Sequence, residues 1–412
     1  MDLTEANYAR LLEELYTRHP SVQNKGFTTG AYKPGLEGMM QLDAALGHPA
    51  QRLRAVHVAG TNGKGSVSSM LAAALAGAGL RVGLYTSPHL ADFRERIKLV
   101  EPGGWSMIPR EEVFRFLTER ERDLEGLSFF EITTGLAFKW FDDIQVDIAV
   151  IEVGLGGRLD STNILTPELA VVTSIGLDHC ALLGGTRGAI AAEKAGIFKP
   201  GVPALCGERD DETAPVFETR ASVVPCPLFF AEDFDAELFD TDLTGPCQAA
   251  NLRTALAALQ LLGIDPDRDA LAHTAARTGL RGRWERLCDD PEVICDIGHN
   301  PPALEINFRR LRESGRPLFI VFGIMADKDL AGIRPLMPPD AHYFLVAPKG
   351  DRALPADVLE SRLQGLSCTV CGDVKAGVRQ ALDAASRTPG SILYIGGSNF
   401  VVAEAVELFG PR

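Results

Sequence analysis

Short apolar runs alternate with stretches of helical character along most of this chain. The helical stretches include residues 2–19, 109–125 and 248–262, and the first of them carries its apolar side chains on one face. The apolar runs are candidate strands at residues 56–59, 81–85, 147–153, 169–175, 203–206, 293–296, 317–322, 342–347, 368–371 and 392–395. Strands that alternate with helices predict an α/β fold with a doubly wound parallel sheet, which binds ligands at the carboxyl ends of its strands.

The pattern also predicts two domains. The run 147–153 is almost wholly apolar, which suits a parallel strand that is buried on both faces. A polar, Arg-rich stretch at 280–286 has the character of a linker, and a new series of strands and helices begins after it. We therefore predict a larger parallel-sheet domain at 1–286 and a smaller Rossmann-like α/β domain at 287–412. The Gly-rich turn and the resemblance described below make the first of these a P-loop parallel-sheet ATPase domain in our prediction.

The most informative stretch is 56–71, where a strand leads into a Gly-rich turn and then into a helix. Glycines let the backbone direct several N–H groups at one anion, and the helix N-terminus adds partial positive charge. Lys64 can neutralise phosphates and the Ser66 hydroxyl can reach Mg²⁺, although Gly65 between them departs from an ordinary Walker A loop. A turn that binds nothing is the simpler alternative. We predict a nucleotide site made by Thr61, Asn62, Gly63, Lys64, Gly65 and Ser66.

Polar side chains stand at the ends of further strand candidates. They are Ser87, Glu152 and His179. Such positions share one edge of a parallel sheet, and hydroxyl, carboxylate and imidazole groups can all bind a divalent metal beside a nucleotide. Each residue alone could be a helix cap or an ordinary polar side chain. Their shared position predicts a metal–nucleotide site.

Composition narrows the class of protein. The 412 residues are 46% hydrophobic and 23% charged, and the net charge of −14 argues against a nucleic-acid surface. The acidic start lacks the layout of a signal peptide and no apolar run could span a bilayer, so we expect a cytoplasmic protein without a membrane partner. The eight cysteines are expected to be reduced, and the pair Cys368 and Cys371 is expected to be structural despite its redox or metal-ligand spacing.

Seven motifs occur in one order and cover the chain from about residue 26 to its end. They are GTNGKGS at 60–66, YTSPH at 85–89, FRERI at 93–97, EVGLGGRLD at 152–160, DH at 178–179, EKAGI at 193–197 and DIGHNP at 296–301. Together they resemble the folylpolyglutamate synthase/dihydrofolate synthase family within the ATP-dependent Mur ligase superfamily. The segment 33–37 resembles the family's N-terminal region, but Gly38 stands where the family has arginine.

The resemblance implies an ATP-binding domain followed by a glutamate ligase domain. Its activity would be an ATP-dependent amide ligation that adds L-glutamate to dihydropteroate or folates through an acyl phosphate. It implies two Mg²⁺ ions held by Ser66, Ser87, Glu152 and His179, and a carbamylated Lys194 as an anionic metal ligand; K⁺ is a further candidate ion. The resemblance implies that ATP is contacted by Asn251, Arg283 and Asp296. The residues that it implies to be catalytic are Lys64, Lys194 and His299. Those that it implies to contact the pterin ring are Phe129, Phe130 and Glu131.

Several alternatives stay open. The chain could be another Mur-type amino-acid ligase, or a P-loop regulator or kinase without ligase activity. Without the resemblance, Lys194 would be interpreted as a lysine on a helix surface. Phe129 and Phe130 would be interpreted as aromatic residues of the core. The sequence does not decide between dihydrofolate synthase, folylpolyglutamate synthase or both. We expect a bifunctional monomer.

Overall fold

The structure, a computed structural model, describes residues 3–19 and 35–410. Lys33 and Pro34, from the N-terminal segment of the resemblance, lie outside the described residues. The chain divides into two compact units, of which the first contains Met1–Asp242 and Gln248–Leu280 and the second Leu243–Cys247 and Arg281–Arg412. Within the described ranges, none of the helices combines the length and the apolar content that a membrane crossing needs.

A largely parallel sheet forms the framework of the first unit. Its described strands are β1 (Ala55–Ala59), β2 (Val82–Tyr85), β3 (Ile97–Glu101), β4 (Gly104–Met107), β5 (Ile148–Glu152), β6 (Leu169–Val172), β7 (Ala204–Cys206) and β8 (Leu228–Phe230). They are ordered β4-β3-β2-β5-β1-β6-β7-β8. All neighbours pair in parallel except β2 with β3 and β3 with β4, which are antiparallel.

Helices cover this sheet. Those described in the first unit are α1 (Glu5–Arg18), α2 (Glu37–Ala45), α3 (Pro49–Arg52), α4 (Lys64–Gly77), α5 (Arg110–Glu119), α6 (Phe129–Asp143), α7 (Cys180–Leu183), α8 (Arg187–Lys194), α9 (Ala214–Val223), α10 (Gln248–Leu261), α11 (Arg268–Ala272) and α12 (Thr274–Thr278). Helix α4, which follows the Gly-rich turn, is buried from Gly65 to Ala76. A helix that is apolar on all sides must be covered on all sides, and α10, α11 and α12 pack against it.

The second unit holds another, smaller sheet. Its described strands are β9 (Glu285–Asp289), β10 (Glu292–Cys295), β11 (Leu318–Phe322), β12 (His342–Val346), β13 (Ser367–Gly372) and β14 (Ile392–Gly396). They are ordered β13-β12-β11-β14-β10-β9, and only β9 is antiparallel to its neighbour. The described α-helices are α13 (Pro301–Glu313), α14 (Leu330–Ile333), α15 (Ala356–Arg362), α16 (Val374–Ser386) and α17 (Asn399–Phe409). The prediction of an α/β fold with parallel sheets is confirmed.

Some elements differ from the expectation. The stretch 280–286 was expected to be a linker throughout, but its end enters strand β9, which pairs with β10. Only Leu287 of β9 is fully buried, so the strand has too little apolar character to be recognised in sequence. The helix expected at 109–125 ends at Glu119, and the residues after it form turns.

Cys368 and Cys371 lie on different faces of strand β13. Cys368 packs against the apolar cluster that contains Tyr343 and Leu359. Cys371 packs against the cluster that contains Val378. Both thiols are free, and burial raises the pKa of each. The expected structural role therefore agrees with this geometry.

A buried hydrogen-bond chain starts in the central strand. His57 of β1 is fully buried, and its Nε2 lies 2.8 Å from Thr162 Oγ1. The Thr162 hydroxyl donates to Asp160 Oδ1 at 2.5 Å, so Nε2 of His57 must be the donor toward Thr162. Burial lowers the pKa of His57 to about 3 and keeps the imidazole neutral.

This burial predicts a pH dependence of stability. The unfolded chain binds a proton at His57 below pH 6.5 whereas the folded chain does not, so stability falls as the pH falls below 6.5. His57→Gln keeps a donor for Thr162 and does not titrate. We expect wild type to lose about 2 kcal/mol relative to this variant between about pH 6.5 and pH 5. Urea unfolding at both pH values measures the difference, and the exposed His273→Gln is the control. Parallel pH profiles for wild type and His57→Gln would contradict the prediction.

Candidate active site

Polar residues meet where four adjacent parallel strands end. Strands β2, β5, β1 and β6 are neighbours, so their carboxyl ends lie along one edge of the first sheet. Gly60 follows β1 directly, Ser87 lies just beyond β2, and Glu152 is the last residue of β5. The Ser87 backbone N–H donates to Glu152 Oε2 at 3.0 Å. The structure thus brings together Ser87 and Glu152, two of the residues predicted as metal ligands.

The Gly-rich turn adopts a backbone that excludes side chains at two positions. Gly60 has φ of +151°, and a Cβ there would lie 1.9 Å from Thr173 Oγ1. Gly63 has φ of +85°, and a Cβ there would lie 2.4 Å from Asn251 Oδ1. Any other residue would be strained and would also collide with these side chains. The close approach explains why the turn needs glycine at both places.

Two hydroxyls that the sequence interpretation missed support this turn from β6. Thr173 Oγ1 donates to the Asn62 carbonyl at 2.6 Å, and Ser174 Oγ donates to the same oxygen at 3.1 Å. The Thr61 backbone N–H donates to the Ser174 carbonyl at 2.7 Å. The only available signal was a Thr-Ser pair after a strand, which is too common to indicate a function.

The two lysines of the predicted site converge on one backbone oxygen. Lys64 Nζ donates to the carbonyl of Gly60 at 3.1 Å and to that of Thr61 at 3.2 Å. Lys194 Nζ donates to the same Gly60 carbonyl at 2.8 Å, although it comes from helix α8. Burial, and secondarily the charge of Lys64, lower the pKa of Lys194 to about 7. Lys194 is 4% exposed, so it is not a helix-surface lysine.

The loop after Glu152 fixes the end of helix α8. A Cβ on Gly157 would lie 2.9 Å from the carbonyl oxygens of both Glu193 and Lys194. The Arg158 backbone N–H donates to the Glu193 carbonyl at 2.9 Å. These contacts hold the backbone of Lys194 in place, so its amine reaches Gly60 from a rigid support.

The donor set of this edge fits a hard divalent cation, which favours oxygen ligands. Ser66 and Glu152 are almost fully buried, at 1% and 3% exposure. His179 has a left-handed backbone with φ of +53°, and its Nε2 lies 3.7 Å from Asp178 Oδ2. In the described part of the chain, no group of three or more His, Cys, Asp or Glu side chains could hold a metal. An ion here would therefore combine a few side-chain ligands with ligands from water and the nucleotide phosphates.

The residues predicted to touch a pterin ring also make structural contacts. Phe129 is buried and stacks on Tyr16 with ring centroids 5.3 Å apart. The Phe130 ring fills the space beside Gly154, where a Cβ would lie 2.4 Å from it. Glu131 Oε2 accepts hydrogen bonds from the backbone N–H and the hydroxyl of Ser128, both at 2.7 Å. These contacts hold all three side chains in fixed orientations, and they place Phe130 beside the loop after Glu152.

Arg96 and His89 belong to two of the motifs that carry the resemblance, but no role was predicted for either residue. Arg96 is 3% exposed and its Nε donates to His89 Nδ1 at 2.8 Å. Its guanidinium carbon lies 5.2 Å from the centre of the Phe129 ring, within range of a cation–π contact. Burial and the neighbouring Arg96 lower the pKa of His89 well below its ordinary value. A buried cation thus lies against the aromatic group.

Three predicted site residues belong to the second unit: Arg283 and Asp296, which were expected on ATP, and His299, which was expected to be catalytic. Asp296 Oδ2 accepts from the Trp284 backbone N–H at 2.9 Å, and its Oδ1 accepts from Gly298 N and Asn307 Nδ2 at 2.8 Å each. Burial raises the pKa of Asp296. Arg283 Nη1 donates to the Arg281 carbonyl at 3.3 Å. His299 Nδ1 lies 3.0 Å from the carbonyl of Ile297.

Comparison with known proteins gives the family. Residues 282–399 match the Mur ligase, glutamate ligase domain family. The dihydrofolate synthase/folylpolyglutamate synthase of Escherichia coli K12 is 34% identical over 92% of this chain and 92% of its own. A probable bifunctional folylpolyglutamate synthase/dihydropteroate synthase of Halobacterium salinarum is 34% identical over 90% of this chain, which spans only 49% of that longer relative.

A solved structure has the same fold over nearly the whole length of this chain. It is a bifunctional folylpolyglutamate synthase/dihydrofolate synthase with Mn, AMPPNP and L-glutamate bound. Its sequence is 29% identical to this one, the match covers 97% of each chain, and the TM-score is 0.83. With the identity and coverage of the E. coli relative, these comparisons show that the chain belongs to the dihydrofolate synthase/folylpolyglutamate synthase family of ATP-dependent glutamate ligases.

Proposed function

We propose that this chain is a bifunctional enzyme that adds L-glutamate to dihydropteroate and to folates, with ATP as the driving reactant. The observation that carries the proposal is the convergence of Lys64 and Lys194 on the Gly60 carbonyl. A phosphate-loop kinase or regulator has no use for a second, buried amine at this place. The E. coli relative, which has both activities in its name, supports the bifunctional assignment.

The proposed reaction has two steps. A carboxylate oxygen of the acceptor attacks the γ-phosphorus of ATP, ADP leaves, and an acyl phosphate forms. The amine of glutamate then attacks the acyl carbon, phosphate leaves with the transferred oxygen, and the nitrogen loses a proton. Phosphoryl transfer depends on positioning and charge neutralisation, for which the backbone N–H groups of the Gly-rich turn and Lys64 are suited.

The metal would supply further charge neutralisation. Ser66, Ser87 and Glu152 would offer oxygen ligands and His179 an imidazole, a set of ligands that would suit two Mg²⁺ ions. Bound Mg²⁺ lowers the negative charge of the phosphates that the acceptor carboxylate must approach. The chain's own task is to keep these ligands oriented, which the Ser87 N–H does for Glu152.

Lys194 would become an anionic ligand by reacting with CO₂. Its neutral amine attacks the carbon of CO₂ and releases one proton, which converts the neutral amine into a carbamate anion. The reaction needs an unprotonated lysine, and the lowered pKa of about 7 supplies one near neutral pH. A carbamate would also replace the repulsion between Lys194 and Lys64 with attraction.

Substrate requirements test the proposal directly. We expect ADP release only when glutamate and either dihydropteroate or a reduced folate are present together, with a new amide product in each case. Parallel assays with each acceptor, with and without glutamate, measure this by coupled ADP detection and mass spectrometry of the product. Equal ADP release without glutamate would favour a kinase, and turnover of a single acceptor would remove the bifunctional assignment.

Lys194→Ala is expected to lower ligation at least about 100-fold, because it would remove the proposed anionic ligand beside the Gly-rich turn. Thermal unfolding should show a folded variant. Partial recovery of turnover in added propionate or another short carboxylate would identify the missing group as an anion. Lys139→Ala, which removes a partly exposed lysine that pairs with Asp143 on helix α6, is the matched control and should keep wild-type turnover. Turnover near the wild-type level in Lys194→Ala would contradict the assignment.

Carbamate formation should follow the protonation state of Lys194. Above its pKa of about 7 the amine is neutral, and below it the amine is protonated and unreactive. Lowering the pH from about 8 to 6 should reduce the reactive fraction about tenfold. The carbamate carbon can be followed by ¹³C NMR in ¹³C-bicarbonate, with Lys194→Ala as the blank. A signal that persists in Lys194→Ala, or that does not weaken at low pH, would overturn this account.

A further inference from the structure

The Ser66 hydroxyl has a buried partner outside the phosphate loop. Ser66 lies in the first turn of helix α4 and is 1% exposed. Gln248 Nε2 donates to Ser66 Oγ at 3.3 Å. Gln248 is the first residue of helix α10 and is 5% exposed. A glutamine is seldom so deeply buried unless its amide is used, so this contact calls for an explanation.

A second residue fixes which way the Gln248 amide points. Asn251, one turn further along α10, donates from Nδ2 to Gln248 Oε1 at 2.9 Å. Asn251 itself is held against the loop, because its Oδ1 occupies the space that a Cβ on Gly63 would need. Since the carbonyl of Gln248 faces Asn251, its NH₂ group must face Ser66. The donors therefore run in one direction, from Asn251 to Gln248 to Ser66.

This direction matters for the chemistry of Ser66. A serine hydroxyl has one proton and two lone pairs, and in a helix it often turns to donate to the carbonyl of the preceding turn. An N–H from Gln248 occupies one lone pair and restrains that rotation. The second lone pair is then available for a cation, and the proton for a phosphate oxygen.

We infer that Gln248 is a positioning residue that sets the Ser66 hydroxyl for Mg²⁺–nucleotide binding. The inference rests on the proposed function only in taking Ser66 as a ligand of the Mg²⁺–ATP pair. Gln248 acts through Ser66 and contributes selectively to the part of nucleotide affinity that depends on the metal. Asn251 contributes to the same effect by holding the Gln248 amide.

Binding of AMPPNP by calorimetry, in Mg²⁺ and in EDTA, tests the inference without turnover. Gln248→Met keeps length and loses both hydrogen bonds. It should lower the Mg²⁺-dependent gain in affinity about fivefold, the effect of one hydrogen bond of ordinary strength, and leave affinity in EDTA unchanged. Gln248→Glu cannot donate a hydrogen bond to Ser66, so it should lower the Mg²⁺-dependent gain in AMPPNP affinity to the same extent. Gln260→Met, on the exposed side of the same helix, should bind as wild type.

A double-mutant cycle with Ser66→Ala separates positioning from a merely structural role. If Gln248 acts through Ser66, Gln248→Met should cause no further loss in the Ser66→Ala background. Additive losses, or an equal loss in EDTA, would overturn the inference. If Ser66→Ala loses the Mg²⁺-dependent gain in AMPPNP affinity (the Mg²⁺ effect) and both Gln248 variants keep it, the inference fails while the proposed function stands. If Ser66→Ala keeps the Mg²⁺ effect, the ligand assignment of Ser66 fails as well.

Discussion

The carbonyl oxygen of Gly60 accepts hydrogen bonds from two lysine amines, and the rest of the proposed nucleotide site is arranged around this shared acceptor. Lys64 belongs to the loop itself, whereas Lys194 lies 134 residues beyond Gly60 along the chain. Two ammonium groups this close repel one another in a buried place. The arrangement is stable because burial favours the neutral amine of Lys194. The same carbonyl can face both amines only because Gly60 has no side chain to collide with Thr173.

Keeping a buried amine in position requires a rigid support, and residues 152–163 provide it. The Asp160 carboxylate accepts from the backbone N–H groups of Leu155 and Thr162 at 2.9 and 3.0 Å, which fixes the turn after Glu152. Asn163 Nδ2 donates to the Gly196 carbonyl at 3.1 Å and ties the turn to the end of helix α8. One loop thus orients Glu152 at its start and Lys194 through its packing. Glu152 and the Lys194 amine share a single backbone support, so a displacement of one would displace the other.

The sequence predicted the strands and the residues at their ends better than the contacts between them. Glu152 was identifiable because a lone carboxylate at the end of an apolar strand breaks the pattern, and parallel strands bring such ends together. Thr173 and Gln248 were not identifiable, because a single neutral polar residue does not change the pattern of hydrophobic and polar positions. Gln248 also meets Ser66 across 182 residues of chain. Strand β9 was missed for a related reason, since an edge strand with one buried side chain resembles a polar linker.

Two carboxylates that the family resemblance assigned to substrates, Glu131 and Asp296, already have partners within the chain. Glu131 closes the N-terminus of helix α6 through Ser128, and Asp296 holds the Trp284 backbone at φ of +52°, a strained value for a tryptophan. A carboxylate has about four lone-pair positions, so both retain acceptor capacity after these bonds. The internal bonds fix the direction of the remaining lone pairs before any ligand arrives. Less conformational freedom is then lost on binding, and a structural role and a binding role for the same residue become compatible.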